Sequence, residues 1–380
     1  MSLDYETLRV IWWLFIVVLM IGFALTDGFD LGIAILLPFV GQSDIQRRVI
    51  INSIGPTWDG NQVWFVAAGG ALFAAWPLVY AAAFSGLYVA LLLSLFALFF
   101  RPLGFDYRGK IDDPRWRNLW DWGLFAGGLV PASIFGIAFG NLLLGLPFHF
   151  DSALRSYYTG SFWALFSPFS VLAGIVSVAL MLMHGGVYLQ IKTEGDIAAR
   201  SKKVVIVAAI ILMAAFALAG LLVAFGIDGY RVVSIPGYDA SPNPLAKIVE
   251  KAPGAWMDNY SVYPKLWMVP AAVFVGATLT ILLSAFNRVG IAFITSGIAV
   301  AGVIATASFS MFPFIMPSSS NLNSSLTVWD ASSSYTTLSI MFWVTVIFLP
   351  IVIMYTAWVY RVLRGKVTEE DIRRNDHSVY

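Results

Sequence analysis

The sequence predicts an all-α polytopic membrane protein with nine transmembrane helices. Of its 380 residues 59% are hydrophobic and only 12% charged, against about 25% charged in an ordinary soluble domain. Mean hydropathy is +0.79. The apolar residues also fall into successive stretches, and a helix needs roughly 20 such residues to cross the hydrocarbon core.

The stretches lie near 9–38, 49–75, 78–100, 119–145, 163–190, 203–226, 264–285, 290–316 and 337–362. Before the first, "MSLDYETLRV" carries only Arg9 as a basic residue and runs on without a small-residue cleavage site, which predicts a retained helix rather than a signal peptide. The second contains "NSIGPTWDGNQVW", with Asn52, Pro56, Asp59, Asn61 and Gln62 inside it. Without it there would be eight spans. Lys and Arg concentrate in short cytoplasmic loops. The segments 101–118 (Arg101, Arg108, Lys110, Arg115, Arg117) and 191–203, with the tail after Arg361, therefore belong inside. Segments 146–162, 227–263 and 317–336 belong outside. Arg47 and Arg48 join the inside set only if 49–75 crosses, which predicts nine helices, an outside N-terminus and a cytoplasmic C-terminus. Within 227–263, "IPGYDASPNP" reads as turns and "NPLAKIVEKAPGAW" as a short surface helix. No soluble domain, low-complexity tract or short repeat interrupts residues 1–380, so the chain is expected to be one integral membrane domain. Helices 1–4 and 5–8 would make two four-helix bundles with the ninth peripheral.

Carboxylates inside apolar runs carry the functional signal. Asp27 and Asp30 in "ALTDGFDLGIA" stand three apart and so share one helix face. Gly28 and Gly32 beside them would let a helix or a cofactor approach closely. Asp27 lies about 26 Å along a helix begun at Val10, toward the inner side. Asp59, ten residues from Val49, would lie roughly 15 Å deep, near the bilayer centre. Asp106 in "RPLGFDYRGK" follows on the basic inner loop. The four would form a proton relay from the inside toward mid-membrane. The competing reading makes them, and Asp121, structural groups bonded to tryptophan, asparagine or helix ends.

Other chemistry is missing. Net charge is +1 and cysteine is absent, so nucleic acid is not an expected partner and thiolate metal sites cannot form. The three histidines are His149, His184 and His377. They stand far apart, and His184 alone in a helix reads as a satisfied core residue. No metalloprotease, Walker or dinucleotide motif occurs. "GGALFAAWP" and "GGVYLQ" read as small-residue packing signals. Tryptophans and methionines mark belts and packing, although several tryptophans near Asp59 could flank a quinone ring.

The strings "LDYETLRVIWWLFIVVLMIGFALTDGFDLGIAILLPFVG", "RRVIINSIGPTWDGNQVWFVAAGGALFAAWPLVYAAAFSGLYVALLL", "FFRPLGFDYRGKI", "RWRNLWDWGLF", "FGIAFGNLLLGLPF", "MFPFIMPSSS", "SLTVWDASSS" and "EDIRRNDHSVY" resemble subunit II of the cytochrome bd ubiquinol oxidase family, essentially end to end. The resemblance implies a heterodimer in the bacterial cytoplasmic (inner) membrane, which a small single-helix accessory subunit can join. Subunit I, on a related nine-helix plan, carries two haems b, haem d and the quinol-oxidation loop, while subunit II carries no haem and stabilises its partner. Such a complex oxidises quinol and reduces O2 to water with protons drawn from the cytoplasm, electrogenically and without pumping. The resemblance also implies a proton route through subunit II along carboxylates that match Asp106 and Asp59, with Asp27 and Asp30 matching the family's acidic pair on the first helix. Some members hold a structural ubiquinone, whose contacts do not map residue by residue onto this chain. Thr57 is a departure, since relatives often have histidine there, and a water on the threonine hydroxyl would have to replace the imidazole. Two alternatives remain. One is a proton-coupled secondary transporter, against which the second half lacks a counterpart of "PTWDGNQ". The other is a purely structural partner of subunit I.

Overall fold

A computed structural model describes residues 3–374. The chain opens with α1 (Tyr5–Val40), capped by Asp4, whose side chain accepts from Thr7 N. α2 (Asp44–Ile54) and α3 (Trp58–Ala75) follow, then α4 (Pro77–Gly86), α5 (Tyr88–Tyr107) and α6 (Pro114–Leu144). A small hairpin of β1 (Phe148–Phe150) and β2 (Ser156–Tyr158) leads to α7 (Pro168–Lys192) and α8 (Gly195–Leu221). After β3 (Asp228–Ser234) and β4 (Ile248–Pro253) come α9 (Asp258–Val262), α10 (Met268–Ala285) and α11 (Val289–Met311). The chain ends with β5 (Phe314–Met316), β6 (Leu326–Thr327), α12 (Tyr335–Val362) and α13 (Glu369–Arg374).

Among the described residues eight helices are long and apolar enough to cross a membrane: 5–40, 88–107, 114–144, 168–192, 195–226, 264–285, 289–311 and 335–362. The expected span 49–75 is not one of them: the chain breaks at residues 55–57, and the 18-residue helix that follows opens on the polar Asp59, Asn61 and Gln62. Pro56 has no N–H to donate and its ring crowds the carbonyl four residues back, so α2 stops and α3 starts anew at Trp58. The expected span 78–100 is likewise divided, into α4 and α5, with Leu87 between them. Trp76, non-helical ahead of Pro77, separates α3 from α4. α5 then runs seven residues past the expected boundary, which puts Arg101 and Asp106 on a helix rather than in a loop. The expected surface helix in 243–256 is absent. Its Ile248 and Val249 belong to β4, paired antiparallel with β3, where β-branched residues fit a ladder.

α1 is the central element and packs on α3, α6, α7, α11 and α12. Further pairs are α5 with α6, α6 with α7, α7 with α8 and α11, and α10 with α8 and α11. Gly32 sets the closest approach, since a Cβ there would stand 2.0 Å from the Met181 carbonyl oxygen of α7, and Gly185 fits against the α1 backbone. Gly28 is not under such constraint, its nearest neighbours lying 3.9–4.0 Å from a built Cβ. A Cβ built on Gly69 or Gly70 meets nothing among the described residues, so these two glycines do not mark a close internal contact.

Polar ties close both ends of the helical body. At the α2 end Arg108 and Arg47 hold Asp121 of α6, Arg108 also reaches Asp44, and Arg200 donates to Gln46. The segment after α12 folds beneath this end, with Val367 N bonded to Lys192 O and Ile372 buried among Val49, Ile50 and Leu189. At the other end the six strands and their loops form a cap. Ser333 N donates to Ala75 O, Glu6 N to Asp239, and Trp256 Nε1 to Leu143 O. The buried Lys247 ammonium pairs with Asp330 at 3.0 Å. Arg9, wholly buried, donates to Ser332 Oγ and to the Tyr238 and Ala240 carbonyls. α3 therefore begins at the α2 end and finishes under the cap.

Candidate functional site

Asp27 and Asp30 lie side by side on the buried face of α1, both fully excluded from solvent. α5 delivers the cation that faces them. Arg101 Nη1 donates to Asp27 Oδ2 at 3.0 Å and Nη2 to Asp27 Oδ1 at 2.5 Å. This is the two-pronged geometry in which guanidinium and carboxylate bind best. Nη2 stands 3.8 Å from Asp30 Oδ2. Asp30 takes its hydrogen bond from α3 instead, where Asn61 Nδ2 donates to Oδ2 at 2.7 Å. The Asn61 carbonyl oxygen in turn accepts from the Tyr360 hydroxyl of α12 at 2.6 Å. Four elements thus meet through side chains alone.

Aromatic rings wall the cluster. The Arg101 guanidinium lies 5.5 Å from the Trp58 ring. Phe29 stacks on Tyr188 of α7 at 3.9 Å and meets Tyr360 edge-on at 6.5 Å. Asp30 Oδ1, Arg101 Nε and the Tyr188 hydroxyl, all buried, have no hydrogen-bond partner among the described residues. Buried polar atoms are otherwise paired as a rule.

Asp59 and Asp106 are placed quite differently. Both are exposed on the surface of this chain. Asp59 stands in the first turn of α3 rather than ten residues into a straight helix, because the break at 55–57 resets the count; the depth expected for it does not follow. It heads a stripe of exposed residues, Val63, Val66, Gly70 and Phe73, whose alternating steps of four and three mark one helix face. Asn61, two residues on, points the opposite way into the cluster. Asp106 lies near the end of α5, two residues before Arg108. Arg108 donates through Nε to the buried Asp121 at 2.6 Å, and Arg47 donates to the same carboxylate at 2.7 Å. Asp121 is therefore a structural anchor for the segment that carries Asp106. Thr57 is buried, and its hydroxyl donates to Ile54 O at 3.2 Å.

Two of the three histidines, His149 and His184, lie among the described residues. His184 is engaged at both ring nitrogens, Nδ1 with Ser296 Oγ at 2.8 Å and Nε2 with Leu25 O at 3.1 Å, and its face is covered by Phe293. It is the satisfied core histidine that the sequence suggested. His149 stacks on Tyr157 in the β1–β2 hairpin, and His377 lies outside the described residues. Among those residues no group of three or more His, Cys, Asp or Glu side chains could hold a metal. Sequence reasoning missed Arg101, which it counted as a loop charge, and Tyr360. A signal for Arg101 was present: two acids in one helix call for a cation, and Arg101 interrupts the apolar run "LLLSLFALFFRPLG".

With this geometry in place, comparisons with known proteins are consistent. Cytochrome bd-I ubiquinol oxidase subunit 2 of Escherichia coli (strain K12) is 54% identical over 378 residues, covering 100% of both chains. A probable cytochrome oxidase subunit 2 from Haemophilus influenzae is 50% identical over the same length, again covering 100% of both. Cytochrome bd ubiquinol oxidase subunit 2 of Bacillus subtilis is 30% identical over 366 residues, 96% of this chain and 98% of that one. Among solved structures the bd oxidase from Geobacillus thermodenitrificans shares the fold, with a TM-score of 0.69 at 17% identity over 94% of this chain and 98% of that chain. The family profile for cytochrome bd terminal oxidase subunit II matches residues 8–363, and on that match and the full-length relatives the chain belongs to the cytochrome bd terminal oxidase subunit II family.

Proposed function

We propose that this chain is the haem-free subunit of a quinol:O2 oxidoreductase in a bacterial inner membrane. It carries protons from the cytoplasm along Asp106 and Asp59 toward the haem d site of subunit I, and it stabilises that subunit. The observation that carries the reading is the direction of Asp59. A carboxylate heads an otherwise apolar outward stripe on α3, and an acid facing lipid is unfavourable by up to about 2.5–3.5 kcal/mol at full depth. A protein partner that offers polar groups removes the penalty, and a group exposed on one chain but enclosed in the pair is suited to hand a proton across. Asp106, held at the α2 end by the Arg108–Asp121 tie, is the corresponding acceptor from bulk water. α3 is then the ninth crossing, with α1, α3, α5, α6 and α7, α8, α10, α11 as two four-helix groups, α12 peripheral, the cap periplasmic and the α2 end cytoplasmic.

Asp27 contributes differently. Its forked bond to Arg101 makes it a counter-ion that holds α1 to α5, which supports the stabilising role rather than the relay. The complex's haems and quinol supply the redox chemistry, and this chain's groups bind, orient and move protons at carboxylate oxygens.

The test is Asp59→Asn in the assembled, haem-loaded complex. Size and hydrogen bonding are kept while the exchangeable carboxyl proton is lost. Proton-transfer groups are typically worth about 10²–10⁴-fold, and water bypass favours the lower end. Quinol-driven O2 consumption per haem d and proton uptake after a single O2 pulse should both slow by about 10²-fold. Asp106→Asn should cost less, because bulk donors replace it. Unchanged rates in a haem-replete Asp59→Asn complex would reject the route.

A further inference from the structure

The cluster around Asp30 contains two carboxylates and one guanidinium, all fully buried. Arg101 is committed to Asp27 by both of its Nη atoms and leaves Asp30 at 3.8 Å. Among the described residues the remaining groups around the pair carry no compensating charge. α3 offers the Asn61 amide and the Trp58 ring, α12 offers Tyr360, and α7 offers Tyr188 and His184, the last bonded to a serine hydroxyl and a backbone carbonyl. With both acids ionised the cluster would hold a net negative charge in the apolar interior, the arrangement that burial penalises most. One oxygen of Asp30 accepts from Asn61 while the other, Oδ1, has no partner, and the neighbouring Tyr188 hydroxyl is unpartnered too.

We infer that Asp30 is a neutral carboxylic acid in the resting protein, with an exchangeable proton on Oδ1, so that the Asp27–Asp30–Arg101 cluster is a proton store inside subunit II. Asp27 and Arg101 set this state by neutralising one another. Asn61, itself oriented by Tyr360, holds Oδ2 as the acceptor and leaves Oδ1 for the proton. The inference deepens the proton-route reading above, yet it is tested separately, because it concerns the protonation of one named residue and not a rate.

The experiment is infrared spectroscopy of the purified, haem-loaded complex in H2O and D2O, taken as wild type minus variant. Asp30→Asn should remove a protonated-carboxyl C=O band of about one group per chain, a band that shifts on deuteration. Asp27→Asn should remove the same band although Asp30 is still present, because Arg101 is then free to pair with Asp30 and ionise it. That second variant decides the matter even where Asp30→Asn fails to assemble. Persistence of the full band in Asp27→Asn would overturn the inference. So would a wild-type spectrum with no Asp30-dependent band, including the case in which a monovalent cation is retained at the cluster instead. Failure here leaves Asp59→Asn proton uptake as an independent measure of the route.

Discussion

Removing the Arg101 guanidinium would leave the Asp27 carboxylate buried without its cation, and losing one partner of a buried pair typically costs about 3–5 kcal/mol. Arg101→Gln is therefore expected to lower the yield and melting temperature of the complex sharply. Adding Asp27→Asn to it should recover part of the loss, since the double variant removes the orphaned charge as well. A double variant no better than Arg101→Gln would show that the two groups are not energetically coupled. A second buried pair, Lys247–Asp330 in the cap, allows a signed pH prediction. Burial, opposed by Lys247, leaves the Asp330 carboxyl above its ordinary value; burial, opposed by Asp330, leaves the Lys247 ammonium below its own. A raised acid contributes stability below its unfolded value that is lost as pH rises through the folded one, and a lowered base contributes stability at high pH that is lost as pH falls. Between the two windows both groups are ionised and burial opposes the pair. Lys247→Met alone should destabilise the cap progressively as pH climbs through the carboxylate range, because Asp330 then ionises unpaired. Lys247→Met with Asp330→Asn should be close to neutral. Limited proteolysis of the cap against pH reads both, and a pH-independent Lys247→Met effect would refute the argument.

At the scale of elements, the α1–α7 contact depends on Gly32. A methyl group there collides with the Met181 carbonyl, so Gly32→Ala should part the two helices at a cost of about 1–3 kcal/mol. Gly70, open on the α3 stripe, predicts the opposite: Gly70→Leu should leave this chain folded but weaken its recovery with subunit I. Equal effects of both substitutions on the chain's own melting would contradict the packing described. Most helices were legible because long apolar runs leave few alternatives, and the three-residue spacing of Asp27 and Asp30 correctly put both on one face. The break at 55–57 was harder to read. Pro56 announced a disturbance, but whether a proline kinks a helix or ends it depends on what satisfies the freed backbone, and that is tertiary information. The Arg101 pairing was harder to assign for a related reason: its signal, a cation interrupting an apolar run, was there, but the pairing rests on where α5 stops, and the basic loop beyond drew the residue into the wrong group. β4 was misread because Ile248 and Val249 sit among good helix formers, and only the β3 strand some twenty residues earlier decides between the two states.

On the scale of the whole molecule, the absence of cysteine makes single-cysteine labelling unambiguous. Gln42→Cys, Asp112→Cys and Lys366→Cys should react with an impermeant reagent from one side of the membrane, and Ala81→Cys, Ser152→Cys and Ser319→Cys from the other. Gln42→Cys and Ala81→Cys labelled from the same side would mean that α3 does not cross, and the nine-crossing arrangement would fall. The ties at the two ends of α12 also bear on how the protein is made. Its middle is almost free of the body, with 6% of its most apolar window buried, yet its start accepts a bond from Trp12 and its end supplies Tyr360 to Asn61. Residues 12 and 61 leave the ribosome early, while 338 and 360 leave it much later. Throughout elongation, then, the inserted helices wait with Asn61 lacking its phenol and the Trp12 indole lacking its carbonyl. A nascent chain that stalls or is cut before residue 360 therefore holds Asn61 without the Tyr360 hydroxyl that the folded chain gives it.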